Sequence, residues 1–137
     1  MKRILAFLCA IALALSLVSC NDAPVPDSES VKEEVSVTKL GEGEKVFGFT
    51  VADADGTEFL FEISTDKEIV GDALKEHNLI DGEDGQFGMY VKTVNGITYD
   101  FDKDGKYWAF YINGEYAVSG VDKTPVENGN SYMFKAE

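Results

Sequence analysis

Apolar side chains recur at every second position over much of the chain after residue 46, the period of a β-strand with one buried face. The alternation runs through residues 47–51, stops at the turn sequence Asp53 to Gly56, and resumes through residues 57–63. Two alternating runs joined by a short turn rich in Asp and Gly are typical of a β-hairpin. This part of the chain is therefore constrained to build a sheet.

One segment has a different period, between Ile69 and His77, where apolar residues are three and four positions apart. This spacing predicts a helix over residues 66–78, and Thr65 with Glu68 matches a capping box at its start. His77 is the only histidine, and its position near the helix end favours a structural or solvated role. The chain is thus expected to contain a single helix.

Short strands are predicted after this helix. The composition of residues 81–85 favours a loop. Asn-Gly pairs at 95–96 and 113–114 are typical of hairpin turns because both residue types tolerate positive φ. The predicted strands cover residues 89–94, 97–101, 107–112, 115–118 and 131–135. The pattern predicts an α+β fold, a β-grasp-like mixed sheet of about five or six strands packed on a single helix.

The N-terminal residues carry a targeting signal. Lys2 and Arg3 precede a run of 15 apolar residues at 4–18, and Leu-Val-Ser-Cys follows at 17–20. The run is shorter than the roughly 18 residues of a spanning helix, and its end resembles the bacterial lipobox. We therefore predict a lipoprotein signal peptide over residues 1–19 and acyl chains, such as palmitate, on Cys20. The alternative is an ordinary secretory signal that leaves a free cysteine.

Three regions follow from these signals. Residues 1–19 are the signal peptide, residues 20–45 are the lipidated cysteine and an acidic flexible tether, and residues 46–137 are the folded domain. The tether prediction rests on two prolines, no aromatic residue and an excess of acidic side chains. As an alternative, Val35 to Val37 alternates and would fit an edge strand. The expected location is the cell membrane, lipid-anchored on its extracytoplasmic face.

The charge balance excludes one class of partner, and the motifs exclude several chemistries. With 12 Lys and Arg against 25 Asp and Glu, the chain has a formal net charge of −13, which argues against nucleic-acid binding. No catalytic motif is found, so no enzyme activity and no cofactor are expected. The carboxylates of Asp100, Asp102 and Asp104 match half of a calcium-binding EF-hand loop, but Tyr111 stands at the twelfth position in place of Glu. A turn explains the same residues, so no metal site is predicted.

Four segments of the folded domain together resemble a known family. They are Val-Gly-Asp-Ala-Leu at 70–74, Phe-Gly-Met-Tyr-Val at 87–91 leading to Val-Asn-Gly-Ile at 94–97, Tyr-Trp-Ala-Phe-Tyr-Ile-Asn-Gly at 107–114, and Gly-Val-Asp at 120–122. Their order and spacing are similar to the transcobalamin-like C-terminal domain, found in small bacterial surface lipoproteins and in animal cobalamin carriers. The resemblance covers residues 46–137. It implies a ligand-binding domain, with a corrinoid or another planar molecule as the ligand.

The resemblance also implies which residues face the ligand. Carried over by motif, they are Phe87, Gly88, Tyr90, Tyr107, Trp108, Gly120 and Val121. Phe87 and Met89 depart from the Trp and Pro of the carriers, which changes the shape of that surface. Alternation within residues 107–112 leaves a second interpretation, in which Trp108 belongs to the core and Tyr107 and Tyr111 are exposed.

Two functions remain open at this stage. The first is capture of a planar small molecule for delivery to a membrane transporter. The second is a cell-surface module that binds another protein. An aromatic cavity lined by Phe87, Tyr107 and Tyr111 would favour the first function, and a flat patch would favour the second.

Overall fold

The computed structural model describes residues 35–137, so the predicted signal peptide, Cys20 and the first part of the predicted tether lie outside the described residues. The strands are β1 (Val37–Gly41), β2 (Lys45–Ala52), β3 (Glu58–Thr65), β4 (Ile80–Gly85), β5 (Gly88–Val94), β6 (Ile97–Thr98), β7 (Trp108–Ile112), β8 (Glu115–Tyr116) and β9 (Ser131–Ala136). The helices are α1 (Val70–Glu76), α2 (Phe101–Asp104) and a 3₁₀ turn at Val121–Lys123.

The strands form two sheets. Six strands follow the order β1-β3-β2-β9-β7-β8, and three follow the order β4-β5-β6. The larger sheet is mixed, because β1 runs parallel to β3 and β9 runs parallel to β2, whereas the other neighbours are antiparallel. The fold is therefore mainly β, with short helices between the strands.

One face of the larger sheet supplies most of the core. The pairing of β2 with β3 sets Phe47 opposite Ile63 and Phe49 opposite Phe61, so the alternating apolar residues share a face. Phe110 stacks on Phe134 with ring centroids 4.9 Å apart. Val70, Ala73 and Leu74 of α1 belong to the same buried cluster as Val91 and Val94 of β5. The predicted β2–β3 hairpin is confirmed.

The helix prediction was too long and its cap was wrong. The helix α1 begins after Ile69, which has no side-chain cap. The Thr65 hydroxyl instead accepts the Lys67 N–H at 3.1 Å. Glu68 cannot start a helix because its carbonyl accepts the Val126 N–H and Ile69 bridges Pro125. A second short helix, α2, replaces part of the strand expected over residues 97–101, so the single helix and the β-grasp arrangement are not confirmed.

Two strands form where the sequence predicted irregular chain. The strand β4 includes residues 81–85, which were predicted as a loop. The strand β1 lies within the predicted tether at 20–45 and overlaps the alternative edge strand, Val35 to Val37, only at Val37. Both are edge strands with mostly exposed side chains. Main-chain hydrogen bonds to the neighbouring strands stabilise β1 and β4. Because few of their side chains are buried, these strands lack the apolar alternation from which a strand is predicted. Within residues 35–137, no helix is long and apolar enough to cross a membrane.

Candidate functional site

The tip of the β4–β5 hairpin presents an exposed aromatic ring. Phe87 is 82% exposed, and with Gln86 it forms the turn between the paired residues Gly85 and Gly88. Gly88 has a φ of +119°, which side-chain-bearing residues rarely adopt. The glycine pair therefore permits the tight turn that directs Phe87 outward.

A carboxylate joins this hairpin to the 3₁₀ turn. Asp122 Oδ1 accepts a hydrogen bond from the Met89 N–H at 2.9 Å. The two glycines make room for this atom, since a Cβ on Gly88 would lie 2.6 Å from Oδ1 and a Cβ on Gly120 would lie 2.5 Å from it. The Thr124 hydroxyl donates to the Gly120 carbonyl at 2.9 Å and holds the turn. Asp122 was not among the predicted site residues, because its partner lies 33 positions away in the sequence.

The strand β7 and the chain after β8 form the opposite wall. Trp108 and Phe110 face the core and are 5% and 8% exposed. The Trp108 indole Nε1–H donates to the Ile97 carbonyl at 3.2 Å. After β8, the Ala117 N–H donates to the Phe110 carbonyl at 2.9 Å, and the chain then turns away at the fully exposed Val118. This divergence opens a space beside β7.

Two adjoining hollows occupy the space between these walls. The inner hollow, about 340 Å³, lies between β5, β7 and the segment after β8, and is lined by Met89, Tyr90, Val91, Tyr107, Trp108, Phe110, Tyr116, Ala117, Ser119, Gly120, Val121 and Phe134. The outer hollow, about 570 Å³, lies between the hairpin tip and the same segment, and is lined by Gly85, Gln86, Phe87, Gly88, Met89, Tyr90, Tyr116, Ala117, Val118, Ser119 and Gly120. Among the described residues, no charged side chain lines either hollow.

The structure brings all seven residues implied by the resemblance to these hollows. Phe87 and Gly88 line the outer hollow, Tyr107, Trp108 and Val121 line the inner hollow, and Tyr90 and Gly120 line both. Tyr111, expected beside Phe87 and Tyr107, lines neither. The two glycines contribute space and turn geometry to the site.

Tyr111 belongs to a polar cluster on the other face of β7. Its hydroxyl donates to Glu137 Oε1 at 2.5 Å, and Lys135 Nζ lies 3.3 Å from the same oxygen. The hydrogen bond to Glu137 raises the pKa of Tyr111 to about 12. The same bond is the main cause that lowers the pKa of Glu137. A hydrogen bond with Tyr116 is the main cause that raises the pKa of Tyr107.

Residues 68–137 match the model of a family described as Domain of unknown function (DUF4430). The chain belongs to this family. The match includes every residue that lines the two hollows, so both lie inside the DUF4430 domain. None of the curated proteins matches the chain.

The solved structures that are similar to the DUF4430 chain include the following two. A proposed metal-binding protein from Ruminococcus gnavus ATCC 29149 is 35% identical, with a TM-score of 0.65, and the match covers 69% of this chain and 97% of that protein. Haptocorrin in complex with Cbi is 16% identical, with a TM-score of 0.55, over 72% of this chain and 26% of haptocorrin. The second likeness shows a transcobalamin-like fold.

The carboxylates of the calcium-like sequence serve as helix caps in the DUF4430 domain. Asp100 Oδ1 accepts the Asp102 N–H at 3.1 Å, and Asp104 Oδ2 accepts the Asp100 N–H at 2.8 Å. Among residues 35–137, no group of three or more His, Cys, Asp or Glu side chains is arranged to hold a metal ion. These hydrogen bonds provide a structural role for the carboxylates of Asp100 and Asp104.

Proposed function

We propose that this protein is a lipoprotein, anchored through Cys20 on the extracytoplasmic face of the membrane, whose DUF4430 domain binds a planar, largely apolar small molecule without catalysing a reaction. One observation carries the ligand proposal. Among the described residues, seven large apolar side chains are exposed, and four of them, Phe87, Tyr90, Tyr116 and Val118, surround the outer hollow. Clustered exposed apolar side chains are typical of a binding site.

The chemistry of the hollows supports an uncharged ring system. Aromatic rings provide a large contact area and lose little conformational entropy on binding. Among the described lining residues, none carries a positive charge that would pair with a carboxylate or phosphate group. Each volume lies within the range of about 300–1,000 Å³ that small-molecule sites occupy. A corrinoid is the ligand we propose to test first, because haptocorrin shares the fold and is bound to Cbi.

Fluorescence of Trp108, the only tryptophan, tests this proposal. Cobalamin and cobinamide should each quench the emission in a saturable manner, after correction for ligand absorption with free tryptophan. For binding by the DUF4430 domain alone, we expect a micromolar dissociation constant, which corresponds to a binding free energy of about −8 kcal/mol. Phe87→Ala should weaken binding about tenfold or more.

Phe101→Ala is the matched control, because Phe101 is also an exposed phenylalanine, 58% accessible, but lines neither hollow. It should bind both corrinoids as the parent chain does. No corrected quenching at about 100 μM of either corrinoid would reject the corrinoid proposal. The cell-surface interaction module would then be the stronger function.

A further inference from the structure

The edge of β7 that faces the inner hollow can be deduced from its pairing with β9. Tyr107 and Glu137 exchange both main-chain hydrogen bonds, each at 3.0 Å. In an antiparallel pair, alternate residues direct their main-chain groups to the partner, and the residues between direct theirs away. The main-chain N–H and C=O groups of Tyr107, Ala109 and Tyr111 therefore point to β9. Trp108 and Phe110 direct their N–H and C=O groups to the opposite edge.

The strand β8 pairs with only a part of this opposite edge. It pairs with Tyr111 and Ile112, and the Ala117 N–H to the Phe110 carbonyl is the last bond before the chains diverge. Within residues 35–137, the N–H and C=O of Trp108 and the N–H of Phe110 have no hydrogen-bond partner. Both residues line the inner hollow. Two residues that line the hollow thus carry two unpaired donors and one unpaired acceptor in the register of a β-strand.

We propose that the inner hollow accepts an extended peptide segment of a partner protein, which adds as a strand to the edge of β7 at Trp108 and Phe110. An unpaired strand edge is complementary to an extended backbone, and side-chain pockets beside it select alternate residues of the added strand. Trp108 and Phe110 are two positions apart along β7, a distance of about 7 Å. About three residues of the partner would therefore lie opposite residues 108–110. Met89, Val91 and Val121 favour a small apolar side chain in its centre.

The negative charge of the domain indicates which residues flank the centre of the partner segment. Residues 35–137 carry nine Lys and 20 Asp or Glu, a balance of −11, and none of these charged residues lines the inner hollow. Opposite charge favours association and partner choice. The segment is therefore apolar at its centre and rich in Lys or Arg on both sides. This site goes beyond the proposed corrinoid site, which rests on the rings around the outer hollow, and either one can fail without the other.

The probe is a capped synthetic peptide with an apolar central residue, Lys-Lys-Thr-Val-Thr-Lys-Lys, added to the full-length chain in non-ionic detergent. Two analogues carry backbone N-methyl groups at the odd or at the even positions. Since a strand presents alternate N–H groups to each side, one analogue should bind like the parent peptide and the other should bind at least about tenfold more weakly. Hydrogen exchange of the Trp108 and Phe110 amides should slow on binding.

Two further controls test the location and the charge. Ser119→Phe, on the shared wall of the hollows, should abolish binding, whereas Ser131→Phe, at an exposed serine on β9, should not. A peptide with Glu in place of Lys should bind about tenfold more weakly or worse.

The proposal would be overturned by equal affinity of the parent peptide and both methylated analogues, or by protection that appears at β1 or β4 instead. It would also be overturned if the Trp108 amide is already protected without peptide, or if no peptide saturates the chain at about 1 mM.

Discussion

Asp122 shows how a single polar residue can set the shape of a largely apolar site. Its carboxylate accepts the Met89 N–H and lies against both Gly88 and Gly120. These contacts keep the hairpin β4–β5 beside the segment after β8, and the outer hollow lies between them. We therefore assign Asp122 a positioning role.

Gly120→Ala tests this assignment without backbone strain, since the φ of Gly120 is −66°. The added Cβ would lie 2.5 Å from Asp122 Oδ1, so we expect a loss of about 1–3 kcal/mol in the free energy of unfolding, measured with urea. In an Asp122→Ala background, the same substitution should cost much less.

Gly48→Ala is the control for that prediction. Gly48 lies in β2, and its nearest new contact would be an ordinary 3.9 Å. This substitution should change stability by less than about 1 kcal/mol. An equal loss at Gly48 and Gly120 would show that Asp122 does not restrict the space at Gly120.

The bond between Tyr111 and Glu137 predicts a specific pH dependence. In the folded protein the pKa of Tyr111 is raised from 10.0 to about 12. The contribution of Tyr111 to the stability of the fold is therefore complete below pH 10 and is lost as the pH rises through about 12. The pKa of Glu137 is lowered from 4.5, so its contribution is present above pH 4.5 and is lost as the pH falls through the lowered value.

The absorbance of the phenolate form measures the ionisation of the tyrosines as the pH rises. Tyr111→Phe should remove the tyrosine component with the highest midpoint, and Glu137→Gln should return that midpoint toward 10. An unchanged tyrosine titration in Glu137→Gln would contradict the assigned cause.

At the scale of elements, the sequence predicted the strands that carry an alternating apolar face. The strands β2, β3, β5, β7 and β9 each place side chains in the core. Because alternate residues of a strand are buried, apolar residues recur at every second position of these sequences. The strand β4 is different, because its acidic and glycine residues are mostly exposed and only main-chain pairing with β5 makes it a strand.

The aromatic residues of the site could be named from motifs, whereas the contact made by Asp122 could not. The motif around Tyr107 and Trp108 is local in the sequence. The hydrogen bond from Met89 to Asp122 depends on how two distant turns meet in space.

The short helix α2 leads to a prediction about calcium. The carboxylates of Asp100 and Asp104 already accept main-chain hydrogen bonds, and Lys92 and Lys103 lie 4.0 and 3.9 Å from Asp100. We expect no saturable calcium site tighter than about 10⁻⁴ M. Calorimetric titration of the chain measures this, and Asp102→Asn should leave the trace unchanged. A site of higher affinity that this substitution removes would contradict the prediction.

For the whole molecule, the main prediction concerns attachment to the membrane. If the thiol of Cys20 carries acyl chains, Cys20→Ala should move the protein from the membrane fraction to unprocessed precursor or soluble material. Cys9→Ala is the matched control and should not change the distribution, because residue 9 lies within the predicted signal peptide. Mass spectrometry of the N-terminus would contradict the prediction if Cys20 is unmodified.

The strand order of the larger sheet determines when the domain can fold. Among the described residues, β9 is the last strand in sequence order, yet it lies between β2 and β7 and joins the group β1-β3-β2 to the pair β7-β8. Until residues 131–136 have been synthesised, these two groups have no strand to connect them, and Tyr132 and Phe134 are absent from the core. Pairings between segments so distant along a chain form slowly. A growing chain therefore remains without its complete larger sheet until residues 131–136 have left the ribosome.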